Sequence, residues 1–317
     1  MTVHSHSRSP FFFRPPNSPI SRIGTLLAVL ALGGASGCSK LGLGGEDSPT
    51  APGGPPAAGS TILYDAVGAS DVNGVGSSVV CAPLVDCPNG MGYPQVATRQ
   101  LQAQGYSVSF QNLGLATAVI SPGFQALGQQ YGRFILGNFI TQEMPFVRTT
   151  ATVVTIFAGG NEVNIITGAL GNGAGGADPL GYIDAQVRAF GTDYATLLAG
   201  IRALAPSARI IVLNVPNFAG LPFLAGASLE QRQAAQRAAV GMTRTVVNPL
   251  VAQNVRVIDV MCDARMYLPS NYSLVDGFHP NDAGYAFLAG EVVRAVTASS
   301  YAAPQDSCSF MTFVPNL

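Results

Sequence analysis

The segment ATVVTIFAGGNE, residues 151–162, decides the fold of this 317-residue chain. Its first eight residues are apolar or β-branched, a run that is typical of a strand buried on both faces of a sheet. The strand pattern then breaks at two glycines followed by Asn161 and Glu162. Four further segments show a similar short strand pattern: 61–67, 107–113, 208–214 and 255–260.

Helical spacing of apolar residues separates these strands. It covers residues 93–104, 123–140, 180–204, 228–247 and 281–297. Short apolar strands that alternate with helices indicate a parallel sheet with helices on both faces. We therefore predict an α/β fold over residues 60–300, a three-layer α/β/α domain with a five-stranded parallel sheet.

Ligands of such sheets bind outside the carboxyl ends of the strands. Polar segments follow the carboxyl ends of four predicted strands, and most of these segments contain glycine: 68–74, 112–114, 159–161 and 214–217. These segments should converge on one rim. The sequence GNGAGG at 171–176 matches a dinucleotide-binding pattern, but it does not join a strand to a helix, so no nucleotide cofactor is expected.

The N-terminus has the pattern of an export signal. Arg14 and Arg22 precede an apolar run that is too short to span a membrane, and small residues follow. The sequence Ala35-Ser-Gly-Cys38 resembles the lipobox of bacterial lipoproteins, although Ala35 replaces the usual leucine. We predict a lipoprotein signal peptide over 1–37, lipidation of Cys38, and a flexible Gly/Pro-rich tether over 38–59. The alternative is an ordinary secretory signal with an incidental cysteine.

By resemblance to sorted lipoproteins, the residue after Cys38, Ser39, favours the outer membrane. The expected location is therefore the periplasmic face or the surface of that membrane. Export also exposes cysteines to an oxidising compartment, where four of them form two disulfides. Three connectivities are open, and Cys81–Cys87 with Cys262–Cys308 is preferred because Cys308 lies in a C-terminal tail, 301–317, that has no other evident anchor.

Composition excludes several classes of function. The chain is 48% hydrophobic and 10% charged, which is enough apolar material for one large core. Beyond residue 38 it carries 17 acidic and 13 basic residues, a balance unlike that of a nucleic-acid-binding surface. No cluster of cysteine and histidine has metal-ligand spacing, so no metal site is predicted.

One histidine remains once the leader is removed. His279 is three residues after Asp276 and directly before Pro280, which places its ring at a loop-to-helix junction. Imidazole is the side chain best suited to proton transfer near neutral pH. Ester cleavage also needs a hydroxyl nucleophile, and Ser70 follows the first strand among small residues.

The same chemistry needs donors for an oxyanion. We predict three: the backbone N–H of Ser70, the backbone N–H of Gly114 and the side-chain amide of Asn161. His279 would be the base and Asp276 would orient its ring. Ser70, Gly114 and Asn161 follow three different strands. Their placement together with His279 favours a catalytic role for the histidine over a packing role.

Four short sequence blocks occur in the order that is found in the SGNH (GDSL-like) hydrolases, and the chain resembles that family. Gly68-Ala-Ser70 corresponds to the G-D-S turn, Asn112-Leu-Gly114 to the glycine block, Gly159-Gly-Asn161-Glu162 to G-x-N-D, and Asp276-Gly-Phe-His279 to D-x-x-H. The resemblance covers about residues 61–297 and implies the SGNH/flavodoxin-like fold. Ala69 and Glu162 depart from it by replacing aspartates. The loss at position 69 removes a carboxylate that would help to fix the turn, and Asp71 is the nearest candidate to replace it.

The resemblance implies a carboxylic ester hydrolase, a serine esterase with Ser70, His279 and Asp276 as its triad. Its expected partners are a small-molecule, lipid or acylated-carbohydrate ester and a membrane reached through the N-terminal anchor. The sequence does not separate a carbohydrate deacetylase from a lysophospholipase. An alternative from another class is a catalytically silent surface lipoprotein that binds glycan or lipid in the same cleft.

Overall fold

A computed structural model describes residues 54–317. The predicted signal peptide, the lipidation site Cys38 and most of the tether lie outside these residues. The five strands are β1 Thr61–Gly68, β2 Ser107–Asn112, β3 Val153–Phe157, β4 Arg209–Leu213 and β5 Arg256–Ile258. They form one parallel sheet in the order β2-β1-β3-β4-β5, which confirms the predicted α/β sheet.

The helices are α1 Ser70–Asn73, α2 Tyr93–Ala103, α3 Pro122–Gln130, α4 Phe139–Gln142, α5 Gly160–Gly171, α6 Pro179–Leu204, α7 Leu229–Met242 and α8 Asp282–Thr297. Helices α2 and α8 pack against each other, and α5, α6 and α7 form a second packed group. The sheet thus carries helices on both faces, as predicted. No helix among residues 54–317 has both the length and the apolar character to cross a membrane.

Two helical predictions were wrong in detail. The segment 123–140 is not one helix, because the chain leaves α3 at Tyr131 and passes Gly132 with φ +75° before α4 begins. Helix α5 was not predicted, since its glycines and asparagines favour a loop. It forms because Val163, Ile165 and Ile166 are buried in the core. The motif at 171–176 starts at the last residue of α5 and leads to another helix, so it is not a strand-to-helix phosphate loop.

Both predicted disulfides are present: Cys81–Cys87 and Cys262–Cys308. The tail after residue 300, however, has anchors besides its cysteine, contrary to the prediction. Phe310 stacks on Tyr267 with ring centroids 4.9 Å apart, and the Gln236 side chain accepts a hydrogen bond from the Phe313 N–H at 2.8 Å. These contacts hold the tail against α7, which contains Gln236, and against the segment between β5 and α8, which contains Tyr267.

Candidate active site

Ser70 lies just beyond the carboxyl end of β1, an interior strand of the sheet. It is the first residue of α1, and only 5% of its surface is exposed. The strand exit is tightly packed, because a Cβ added at Gly68 would lie 2.7 Å from the Val72 side chain. Among residues 54–317 no group accepts a hydrogen bond from the Ser70 N–H. The serine therefore presents both a hydroxyl and a free backbone donor at the rim of the sheet.

His279 and Asp276 meet Ser70 from the opposite end of the chain. His279 Nε2 is 2.8 Å from Ser70 Oγ, and His279 Nδ1 is 2.6 Å from Asp276 Oδ2. The other Asp276 oxygen accepts the backbone N–H groups of Phe278 and His279 at 2.9 and 3.1 Å. The carboxylate thus fixes both the ring and the loop that carries it. The three side chains form a continuous hydroxyl–imidazole–carboxylate series.

Electrostatics suit this arrangement. Burial acts to raise the pKa of Asp276, but hydrogen bonds from the His279 ring and from two backbone N–H groups outweigh it, and the pKa lies below its ordinary value. Asp276 is therefore ionised at neutral pH. A charged carboxylate holds the Nδ1–H tautomer of His279, which leaves Nε2 free to accept the Ser70 proton.

A glycine shapes the turn on which the histidine sits. Gly277 has φ +62°, a backbone conformation that side chains disfavour. Phe278, the next residue, packs between Phe218, Phe223 and the His279 ring, with centroid distances of 5.5, 5.0 and 4.8 Å. This aromatic packing restricts the ring of His279 to the side of Ser70.

The segment after α1 also passes very close to His279, a contact that the sequence did not predict. Gly76 packs directly under His279, and a Cβ at that position would lie 2.6 Å from the His279 Cβ. Only a glycine lets the segment after α1 pass so near to the histidine.

Asn161 lies in the first turn of α5 at the exit of β3, half-buried and facing the same cavity as Ser70. Its side-chain Nδ2 donates to the Ala118 carbonyl at 2.8 Å, which orients the amide and leaves its second N–H available. The preceding Gly159 has φ +115°, and a Cβ there would lie 2.3 Å from the Val215 side chain. Glycine at this position is required to start α5 where Asn161 reaches the rim.

Gly114 differs from the other two predicted oxyanion donors. Its N–H already donates to the Asn112 side chain at 2.9 Å, and the residue does not line the cavity that contains Ser70. A Cβ at Gly114 would lie 2.7 Å from Val72 Cβ and 2.9 Å from the Ala69 carbonyl. Close packing against α1 therefore accounts for a glycine at this position. Its role as an oxyanion donor stays a prediction.

A buried carboxylate that the sequence analysis did not identify supports the exits of β1 and β2. Glu143 is fully buried, and its oxygens accept the N–H groups of Gly68 at 2.9 Å and Leu115 at 3.1 Å. Burial raises the pKa of Glu143 well above its ordinary value, although both hydrogen bonds oppose the shift. Glu143, rather than Asp71, is the carboxylate that binds the strand end two residues before Ser70.

Glu162 plays a matching part at the exit of β3. One of its oxygens accepts the N–H of Ile120 at 2.5 Å, and the other accepts the N–H of Gly159 at 2.9 Å. Burial raises the pKa of Glu162 to about 7, against these hydrogen bonds. The two glutamates thus bind both ends of segment 115–120, whose Ala118 carbonyl orients Asn161. Sequence pattern pointed to Glu162 through its block, whereas nothing in the sequence linked Glu143 to the site.

The cavity at Ser70 has a volume of about 30 Å³. Besides Ser70 and Asn161 its walls are mostly apolar, and they include Phe139, Phe157, Phe218, Leu221, Met266 and Phe278. Among the described residues there is no group of three or more His, Cys, Asp or Glu side chains that could hold a metal ion. The polar side chains of the cavity are thus the hydroxyl of Ser70, the amide of Asn161 and the carboxyl groups of Asp71 and Glu162.

A nucleophile, a base and amide donors at the carboxyl edge of a parallel sheet define the site of an ester hydrolase. The chain belongs to the GDSL-like lipase/acylhydrolase family, whose model matches residues 66–287. That match contains the end of β1, Ser70, both buried glutamates and His279. No curated protein matches the chain.

Three solved structures are similar to the chain at low sequence identity. The chain is similar to a lipase from a goat rumen metagenome, with 18% identity, a TM-score of 0.52, and coverage of 75% of this chain and 98% of that one. It is also similar to an extracellular lipase from Streptomyces rimosus, with 19% identity, a TM-score of 0.48, and coverage of 72% and 98%. For a phospholipase A1 from Streptomyces albidoflavus the values are 18%, 0.45, and 74% and 98%.

Proposed function

We propose that the protein is a serine esterase that cleaves carboxylic esters through an acyl-enzyme on Ser70. The observation that carries this proposal is the pair of contacts that joins Ser70 Oγ to His279 Nε2 and His279 Nδ1 to Asp276, at 2.8 and 2.6 Å. Both distances lie within the range that nucleophile–base–orienter series require.

In the first half-reaction, Ser70 Oγ attacks the ester carbonyl carbon while His279 Nε2 takes the hydroxyl proton. The carbonyl oxygen becomes an oxyanion, which the Ser70 N–H and the free N–H of the Asn161 amide stabilise. The N-terminus of α5 adds a favourable dipole at the same place. The intermediate then collapses, the alkoxide leaves with the proton from His279, and the acyl group remains on Ser70.

In the second half-reaction, His279 takes a proton from water, and the resulting hydroxide attacks the acyl carbon. A second tetrahedral intermediate breaks the acyl–Ser70 bond, and the proton returns to Ser70 Oγ. Asp276 stays ionised throughout and stabilises the imidazolium that forms twice in each cycle. The reactants in these steps are the ester, water and side chains of this protein.

Substitution of Ser70 by alanine tests the proposal. Ser70→Ala should lower the kcat for p-nitrophenyl acetate by about 10⁴-fold or more, because within residues 54–317 Ser70 carries the hydroxyl that is hydrogen-bonded to His279 Nε2. Its thermal unfolding should match that of the wild type, since the side chain loses a single oxygen. A variant that keeps most of its activity would contradict the role of Ser70, and an inactive wild type would favour a silent binding protein.

We also propose that the mature protein is tethered to a membrane through a lipid on Cys38, with the outer membrane as its location. The lipobox-like sequence at 35–38 and the Gly/Pro-rich stretch after it support this proposal. Expression of Cys38→Ser in a Gram-negative host tests it. The wild type should partition into the detergent phase with an acyl mass on its N-terminal cysteine, and the variant should not. An unmodified N-terminus in the wild type would indicate an ordinary secretory signal.

A further inference from the structure

The free space beside Ser70 is small for an esterase site. Its volume of about 30 Å³ accommodates about two water-sized groups. An acetyl group attached to Ser70 would need room for one methyl group and one carbonyl oxygen, which is of this size. A chain of eight carbons would need several times this volume.

Aromatic packing makes the wall of this cavity rigid. Phe139 and Phe218 are 1% and 4% exposed, so both rings are packed within the protein. Phe218 also packs against Phe278 at 5.5 Å, and Phe278 in turn contacts His279 at 4.8 Å. A movement of Phe218 would therefore disturb the loop that carries the catalytic base.

A larger groove, lined by both apolar and polar side chains, lies on the other side of Phe218. Its volume is about 360 Å³, and one wall is a face of α5 that includes Val163, Thr167 and Gly168. No atom lies within 4 Å of the Cβ position at Gly168, so the groove is open along this face. Phe218 is the one residue, within 54–317, that lines both the cavity of Ser70 and this groove.

We propose that the enzyme is selective for esters of short acids, acetyl and propionyl, and that Phe218 is the residue that sets this limit. The Phe218 ring closes the acyl side of the site, and the groove behind it receives a longer chain only when the ring is removed. The alcohol side has no such barrier, because the side chains of His279 and Asp276 are 16% and 35% exposed. The substrates are then acetylated alcohols whose alcohol part is free to be large. This inference rests on the Ser70 mechanism proposed above.

A chain-length series tests the inference. The kcat/KM values for p-nitrophenyl acetate, butyrate and octanoate are compared in the wild type and in Phe218→Ala. The wild type should prefer acetate to octanoate by about 100-fold or more, because a closed apolar site disfavours even one excess methylene by about tenfold or more. Phe218→Ala should raise the octanoate-to-acetate ratio by about tenfold or more.

Two variants make the result specific. Phe218→Leu keeps more of the core volume and serves as the second variant in case Phe218→Ala does not fold. It should also raise the octanoate-to-acetate ratio. Phe124→Ala removes an equally buried ring that lines neither cavity, so it should lower stability and leave the chain-length ratio unchanged.

The inference fails if the wild type cleaves octanoate as well as acetate, or if both Phe218 variants keep the wild-type ratio. The proposed mechanism stands in that case, provided that a fluorophosphonate probe labels Ser70. Absence of both labelling and ester cleavage would instead overturn the mechanism, and the short-acyl inference with it.

Discussion

The carboxylates around this site divide into two kinds. Asp276 is partly exposed, has a histidine as its partner, and has a pKa below its ordinary value. Glu143 and Glu162 are buried, bind backbone N–H groups, and have raised pKa values. In the proposed mechanism the carboxylate of Asp276 thus serves chemistry at one side of the rim, whereas the two glutamates bind backbone at the other. Burial and the identity of the partner decide which role a carboxylate has.

The structural pair acts on one short segment. Glu143 binds the N–H of Leu115 and Glu162 binds the N–H of Ile120, so segment 115–120 is held at both ends. Each glutamate also binds the end of a strand, at Gly68 or Gly159. Removal of a structural carboxylate should therefore cost stability first and activity second, whereas removal of Asp276 should cost activity alone.

The largest effect on activity among the three carboxylates is expected for Asp276→Asn. An amide at this position no longer fixes the Nδ1–H tautomer of His279, and kcat for p-nitrophenyl acetate should fall by about 10³- to 10⁴-fold. The free energy of unfolding measured in urea should stay within about 0.5 kcal/mol of the wild type, because Asp276 is partly exposed. If Asp276→Asn instead lost much stability and little kcat, Asp276 would be a structural carboxylate like the two glutamates.

Glu143→Gln should show the opposite balance. The amide keeps one acceptor but turns an NH₂ group toward a backbone N–H of Gly68 or Leu115, which leaves a buried donor unpaired. We expect the free energy of unfolding to fall by about 1–3 kcal/mol and kcat to fall far less than in Asp276→Asn. Urea denaturation with kinetics on the folded variant measures both quantities.

Glu230→Gln is the matched control for this substitution. It makes the same chemical change at an exposed position in the first turn of α7, where the effect should be within about 0.5 kcal/mol. Equal stability of Glu143→Gln and Glu230→Gln would show that the buried carboxylate does not hold the strand exits.

The effect with the smallest consequence for activity is the dependence of stability on pH through Glu162. Its pKa is raised to about 7 in the folded protein and is about 4.3 in an unfolded chain, so the folded state binds more protons between these values. Its contribution to the free energy of unfolding therefore falls as the pH rises from about 4.3 to 7, by at most about 4 kcal/mol. Asp276, with a lowered pKa, contributes in the opposite direction and loses its contribution in acid.

Urea unfolding at pH 5 and pH 8 measures the Glu162 contribution. Glu162→Gln should lose this part of the pH dependence whatever its absolute stability, and Glu230→Gln should keep it. An identical pH dependence in the wild type and in Glu162→Gln would mean that Glu162 does not carry a raised pKa in the folded protein.

The sequence was sufficient for the sheet, and it singled out the residues that meet at its rim. Apolar strands with polar exits fix where a parallel sheet binds ligands, so Ser70, Asn161 and His279 could be placed on one edge without coordinates. Both disulfides also followed from the even number of cysteines and from the position of Cys308. These features depend on local pattern and on one general rule of sheet geometry.

Features that depend on contacts between distant segments were not predictable. Glu143 is 75 residues from Gly68 in the chain, and no local pattern pairs them. Helix α5 was missed because its stability comes from buried isoleucines rather than from helix propensity. The C-terminal tail gave a cysteine as its only sequence signal, although aromatic stacking on Tyr267 also holds it. In each case tertiary packing, which a single sequence does not display, determined the outcome.

The most direct test of the account is covalent labelling of the wild type with a fluorophosphonate, followed by mass spectrometry of its peptides. An activated serine is the one group that the proposed mechanism makes reactive. We predict one adduct per chain, located on Ser70, that is absent in Ser70→Ala and forms far more slowly in Asp276→Asn. An unlabelled wild type, or an adduct on a different residue, would contradict the assignment of Ser70 as the nucleophile.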